Sequence, residues 1–199
     1  MKRSTELLTT LFTILTLVLV SIVAFHEPPR EWKSETVHEG DSRFIQLEET
    51  EKGAIAAISS SDGVRILERQ QNHTVFESIT GDTDYKWRGE IVTEEPRTGY
   101  YISLKSDEKL AFAHQYGSLG DRKLGYTTEV NGSWETIAID SSRGSGLEPG
   151  MYASLTGQNE TEMIIYHTGA DDKLMIAERD EQWTRRQVEE DAGQFISAD

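Results

Sequence analysis

Residues 134–155 read WETIAIDSSRGSGLEPGMYASL, and residues 183–198 read WTRRQVEEDAGQFISA. Each stretch opens on Trp and places a β-branched residue five positions later, Ile139 and Val188. Each then passes a Gly, Gly150 and Gly193, into a tetrad that starts with an aromatic residue: Tyr152-Ala153-Ser154-Leu155 and Phe195-Ile196-Ser197-Ala198. The other two Trp repeat the pattern. Trp32 is followed by Val37, Gly40 and Phe44-Ile45-Gln46-Leu47. Trp87 is followed by Val92, Gly99 and Tyr101-Ile102-Ser103-Leu104.

Between each tetrad and the next Trp lie two further apolar runs. The first is Ala54–Ile58, Leu110–His114 or Met163–His167; the second is Val64–Leu67, Leu124–Thr127 or Leu174–Ala177. Turn-forming residues separate them (Ser61-Asp62-Gly63, Gly120-Asp121-Arg122, Ala170-Asp171-Asp172), and Asn131-Gly132 and Asp180-Glu181 precede two of the Trp. Asn-Gly between short apolar runs is a strong hairpin signal. The unit is therefore four short strands with a period of about 43–57 residues. Such strands cannot bury their inner face alone, and stacking the units around an axis solves this, as in a β-propeller blade. The expected fold is all-β: a partial or oligomer-completed β-propeller of three four-stranded blades plus spare terminal strands. The complete units span 44–92, 101–139 and 152–188, with Trp32–Val37 leading in and Phe195–Asp199 trailing out.

Ahead of this domain, Leu7 to Phe25 is 19 residues without a charge, about 28 Å as a helix and close to a bilayer core. Met1-Lys2-Arg3 precedes it and His26-Glu27-Pro28-Pro29 follows. The positive-inside rule then predicts residues 1–6 in the cytoplasm, a transmembrane signal-anchor at 7–25, a linker at 26–31 and residues 32–199 outside. A cleaved signal peptide is the rival; its apolar region is usually shorter, and Ile22-Val23-Ala24 is a poor cleavage site. Three N-x-S/T sequons, at Asn72, Asn131 and Asn159, are candidate glycosylation sites on an exported domain.

Net charge is −15, a surface that repels nucleic-acid backbones and anionic headgroups, so neither is an expected partner. The acidity also suits high external salt, as around a salt-loving archaeon or its virus. The chain has no Cys, which excludes disulfides, thiolate metal sites and Cys nucleophiles. His114 and His167 are placed at equivalent ends of the second strand and are read as a repeated polar residue where the strand emerges. Metal binding would need a third His or convergent carboxylates, and His26, His38 and His73 have no regular spacing to them, so no metal or cofactor is expected. No phosphate loop, dinucleotide glycine pattern or nucleophile elbow is present.

The repeat resembles bacterial and fungal β-propellers with blades near 50 residues, including sialidase-like and fucose-lectin-like propellers. Sialidase-like propellers carry an Asp-box, and Ser59-Ser60-Ser61-Asp62-Gly63 is similar to its front half, with Val64-Arg65-Ile66 in place of the Thr-Trp end. Fucose lectins clamp sugar hydroxyls with Arg and Glu under an aromatic. Here Val64-Arg65-Ile66-Leu67-Glu68-Arg69 and Val75-Phe76-Glu77 resemble that motif once, since Gly125 and Met175 stand where Arg65 does. The resemblance makes Arg65, Glu77 and Trp87 the candidate sugar-binding residues, and the segment Thr80–Glu90 is read as a long rim loop. The Trp themselves fit a role in the core between units. The expectation is a membrane-anchored, non-catalytic binding module. Its partner would be a glycan, an envelope protein or further copies of itself; the alternatives are a sialidase-like enzyme and a self-associating envelope component.

Overall fold

The computed structural model describes residues 34–72, 84–93, 97–107, 109–142, 148–158, 161–169 and 171–190. Among them are twelve β-strands and no helix. The first sheet holds β1 (Phe44–Thr50), β2 (Gly53–Ser60), β3 (Gly63–Asn72) and β4 (Asp84–Thr93). The second holds β5 (Tyr100–Lys105), β6 (Ala111–Tyr116), β7 (Lys123–Val130) and β8 (Ser133–Ser141). The third holds β9 (Met151–Gln158), β10 (Thr161–Thr168), β11 (Lys173–Arg179) and β12 (Trp183–Glu190). Every sheet is an antiparallel meander in chain order. Tight turns make that order natural. Asn131 and Gly132 both take positive φ, 53° and 79°, the two-residue turn whose twist matches a hairpin.

The repeat holds at the level of register. Trp87, Trp134 and Trp183 sit on the fourth strand of each sheet and pair with Arg69, Glu129 and Arg179 of the third. Each fourth strand also carries a bulge at the same place, where the register slips between Val64/Arg65, Leu124/Gly125 and Leu174/Met175. The residue left unpaired is Val92, Ile139 or Val188, the β-branched residue five positions after each Trp. A bulge turns an extra side chain out of the alternation, and Val92 and Ile139 enter the cores between sheets.

Those cores lie between consecutive sheets. Ala57, Val64, Ile66 and Val92 of the first sheet meet Ile102, Leu104 and Phe112 of the second. Ala111, Ala113, Leu124, Tyr126 and Ile139 of the second meet Ala153, Leu155, Ile164, Tyr166 and Ala177 of the third. Each sheet thus has a forward face, turned to the next sheet in sequence, and a rear face turned to the one before. The first strands neighbour one another, β1 beside β5 and β5 beside β9. On the rear face of the first sheet a third cluster, Ala56, Ile58 and Leu67, packs against Trp87 and Val37. Here Val37 does for the first sheet what Val92 does for the second. Ile45 and Leu47 on that same face are 59% and 58% exposed, against 8% and 2% for their counterparts Ile102 and Leu104. Burying such a side chain is worth about 1.5–3 kcal/mol, a gain β1 forgoes.

Two expectations are corrected. The segment Thr80–Glu90 is not a loop throughout: Asp84 onward belongs to β4, because Asp84 to Glu90 pair with Asn72 to Ile66; residues 80–83 lie outside the described residues. His114 and His167 are not equivalent. His114 pairs with Gly125 and faces rearward, whereas His167 pairs with Leu174, as Gln115 does with Leu124, and faces forward. Both sheets carry a bulge between their first and second strands, but Ile164 pairs with Leu155 as Phe112 pairs with Leu104. The run ending at His167 is therefore offset by one residue from the run ending at His114, and one residue exchanges the faces of a strand. The segment Leu7–Phe25, Trp32 and residues 191–199 lie outside the described residues.

Candidate functional site

All three sheets begin their first strands at the same end of the molecule, and aromatic rings gather there. Phe44 lies 5.0 Å from Tyr101, Tyr101 lies 4.7 Å from Tyr152, and Tyr100 lies 5.7 Å from Phe44, all in tilted contact. The local sequence creates this row. Gly99 and Gly150 take φ of 77° and 89°, and two residues later Tyr101 and Tyr152 take 52° and 50°. A tyrosine held in the left-handed region costs on the order of 1–3 kcal/mol, and such strain gathers at functional sites. The glycines cannot be replaced cheaply, since a Cβ on Gly99 would come within 2.4 Å of Val64 Cγ2.

Cationic side chains frame the rings. The Arg43 guanidinium donates to the Tyr100 hydroxyl (3.2 Å), and the Arg122 guanidinium lies 4.7 Å from the Tyr100 ring centre. Nε and Nη1 of Arg122 are buried without a hydrogen-bond partner among the described residues. Burial, and then the neighbouring Tyr152, raise the Tyr101 phenol above its ordinary value, so it stays protonated at neutral pH. The rings are half-buried and offer flat apolar surface beside unsatisfied N–H donors. That is the chemistry that covers the apolar face of a sugar and binds its hydroxyls or a carboxylate.

His114 lies just beneath. The Gly99 N–H donates to its Nδ1 (3.3 Å), so Nε2 carries the proton and reaches the Thr127 hydroxyl (2.9 Å). Burial lowers its pKa to about 3. The ring is neutral and enclosed, a structural strut without access to a ligand.

At the opposite end a cleft of about 950 Å³ opens between the β1–β2 turn and the β5–β6 turn. Glu49, Glu51, Glu68, Asp107 and Glu129 line it, with Lys52 and Arg69. Burial, then Asp107, raises the pKa of nearby Glu48. Among the described residues no cluster of His, Asp and Glu could hold a metal ion.

The sugar-binding candidates fall elsewhere. Arg65 pairs with Ile91 and Trp87 with Arg69, four positions further along β3, so their backbones are about 13 Å apart along the strand. Trp87 is partly buried against Ala56, Ile58 and Leu67, and its Nε1, like Arg65 Nε, is buried without a hydrogen-bond partner among the described residues. Glu77 lies outside the described residues. Asn131 occupies an exposed turn; Asn72 ends β3, and Asn159 is outside the described residues. The rim tyrosines are the aromatic leads of the repeated tetrads. The sequence marks them as repeat positions but contains no local signal that three units bring them together with Arg122.

Compared with known proteins, the chain matches no family model, no curated protein and no solved structure.

Proposed function

We propose that the chain is a membrane-tethered, extracytoplasmic binding module whose three sheets are blades of a partial β-propeller and whose rim takes a glycan. The observation that carries this reading is the row Phe44–Tyr101–Tyr152 beside Tyr100 and Arg122, two of whose guanidinium nitrogens are buried and unpartnered. Buried donors without partners are uncommon, because each costs about 1–3 kcal/mol. A ligand oxygen would satisfy them. The tether rests on the apolar run Leu7–Phe25 and its basic flank. The binding role, in place of turnover, rests on the enclosed state of His114 and on a rim built of rings and guanidinium groups.

The test is a glycan array probed with the full chain in detergent, neutral and carboxylate-bearing sugars included. Arg122→Ala is expected to lose at least tenfold in binding to the best ligand, whereas Arg65→Ala binds as the native chain does. The opposite ranking would place the site on β3 and remove the rim from consideration.

A further inference from the structure

We propose that residues 192–198 of this chain dock as an additional inner strand on the forward face of the third sheet. This goes beyond the glycan reading and does not depend on it. The forward faces of the first and second sheets are each covered by the first strand of the following sheet, and the way that strand is received is the same twice over.

A second-strand side chain first takes hold of the carbonyl just before the glycine. The Ser59 hydroxyl donates to Thr98 O (3.2 Å), and the Gln115 amide donates to Pro149 O (2.9 Å). The glycine then seats on a third-strand residue, Gly99 on Val64 and Gly150 on Leu124. Two residues on, an aromatic joins the ring row, as Tyr101 and Tyr152 do. Finally the second and fourth tetrad residues, Ile102 and Leu104 or Ala153 and Leu155, enter the core.

The third sheet repeats the receiving half. His167 pairs opposite Leu174 as Ser59 pairs opposite Val64 and Gln115 opposite Leu124. It is 1% exposed, and its ring nitrogens have no hydrogen-bond partner among the described residues; its nearest charged group is Asp172, at 3.6 Å from Nε2. The face is also uncovered: Val188 is 43% exposed where Val92 and Ile139 are 9% and 8%. The delivering half is Ala192-Gly193-Gln194-Phe195-Ile196-Ser197-Ala198, with carbonyl, glycine, aromatic and tetrad in the same order and spacing.

The reach fits. Glu189 pairs with Leu174, and Leu174 with His167, so the path crosses two interstrand steps, about 9.6 Å. Glu189 to Ala192 covers three residues, at most about 10–11 Å of extended chain, so docking requires the last pair of β12, Glu190 with Lys173, to open. The docked segment places the Ala192 carbonyl on the His167 N–H, Gly193 over Leu174, Phe195 beside Tyr152, and Ile196 and Ala198 on the third sheet. Val37 already packs on the rear face of the first sheet. The positions left open there, Ile45 and Leu47, are those an inner strand would cover.

The absence of cysteine makes a two-cysteine test clean. Ser103 Oγ accepts from the Leu155 N–H (2.9 Å), and Ser154 and Ala198 are the corresponding pair one sheet on. In the full chain in detergent, Ser154→Cys/Ala198→Cys treated with diamide is expected to lose both thiols and to run as a monomer without reductant. Asn131→Cys/Ala198→Cys keeps its thiols. In the otherwise native chain Phe195→Ala is expected to lower Tm by about 3 °C or more. Free thiols in the first pair, a covalent dimer, or an unchanged Tm for Phe195→Ala would each overturn the docking.

Discussion

At the residue scale, the contacts between the second and third sheets are polar as well as apolar. Glu162 is buried, accepts from the Tyr126 hydroxyl and lies 2.5 Å from Arg179. Burial, then this hydrogen bond, raises the Tyr126 phenol far above its usual range. Removing the carboxylate leaves a cation and a hydroxyl facing an apolar core. Glu162→Ala is therefore expected to cost about 3–5 kcal/mol and Glu162→Gln less, as measured by urea denaturation. His114 makes a second prediction. Its ring stays neutral in the folded protein down to about pH 3, whereas the unfolded chain protonates it near pH 6.5. The unfolded state therefore binds more protons in that window, and stability falls as pH drops from about 6.5 towards 3, by at most about 1.4 kcal/mol per pH unit. His114→Gln is expected to flatten this dependence relative to the native chain. Equal slopes for the two would show that the ring does not titrate as described.

At the element scale, the bulge on each fourth strand is the device that lets a sheet address its neighbour. Ordinary alternation points a side chain to each face in turn, and the extra residue at the bulge adds an apolar contact towards the next sheet. Ile139 fills that role in the core between the second and third sheets, while Val188 meets no described sheet. Ile139→Ala is expected to cost about 2–4 kcal/mol, and Val188→Ala, with the docked segment 192–198 in place of a whole sheet in front of it, clearly less than Ile139→Ala, read from thermal unfolding. Similar costs at both sites would mean that the bulge position does not depend on the sheet in front of it. The Trp-plus-five spacing was legible as a repeat from the sequence. That it marks a bulge was not, since a bulge is a mismatch between two strands and a single strand's sequence contains only one of them.

At the scale of the whole molecule, a chain of net charge −15 repels itself when folded. Raising salt from 0.1 M to 1 M shortens the screening length from about 10 Å to about 3 Å, so Tm is expected to rise by several degrees. A flat or falling Tm would show that favourable ion pairs such as Arg179–Glu162 and Lys173–Asp171 outweigh the net repulsion. The same scale explains why the rim was hidden. Phe44, Tyr101 and Tyr152 are roughly 50 residues apart along the chain and meet only because β1, β5 and β9 stand side by side. Arg122 reaches them from the loop before β7.

What the amino-acid order settles here is local: alternation, turn chemistry and the recurrence of Trp, glycine and aromatic tetrad define a four-stranded unit and how often it occurs. Which face of a strand is buried, which histidine looks forward and which rings converge depend on register and on the neighbouring sheet. Those are long-range pairings, and an offset of one residue in how β10 pairs with β9, compared with β6 on β5, is enough to turn His167 away from the direction its spacing implies.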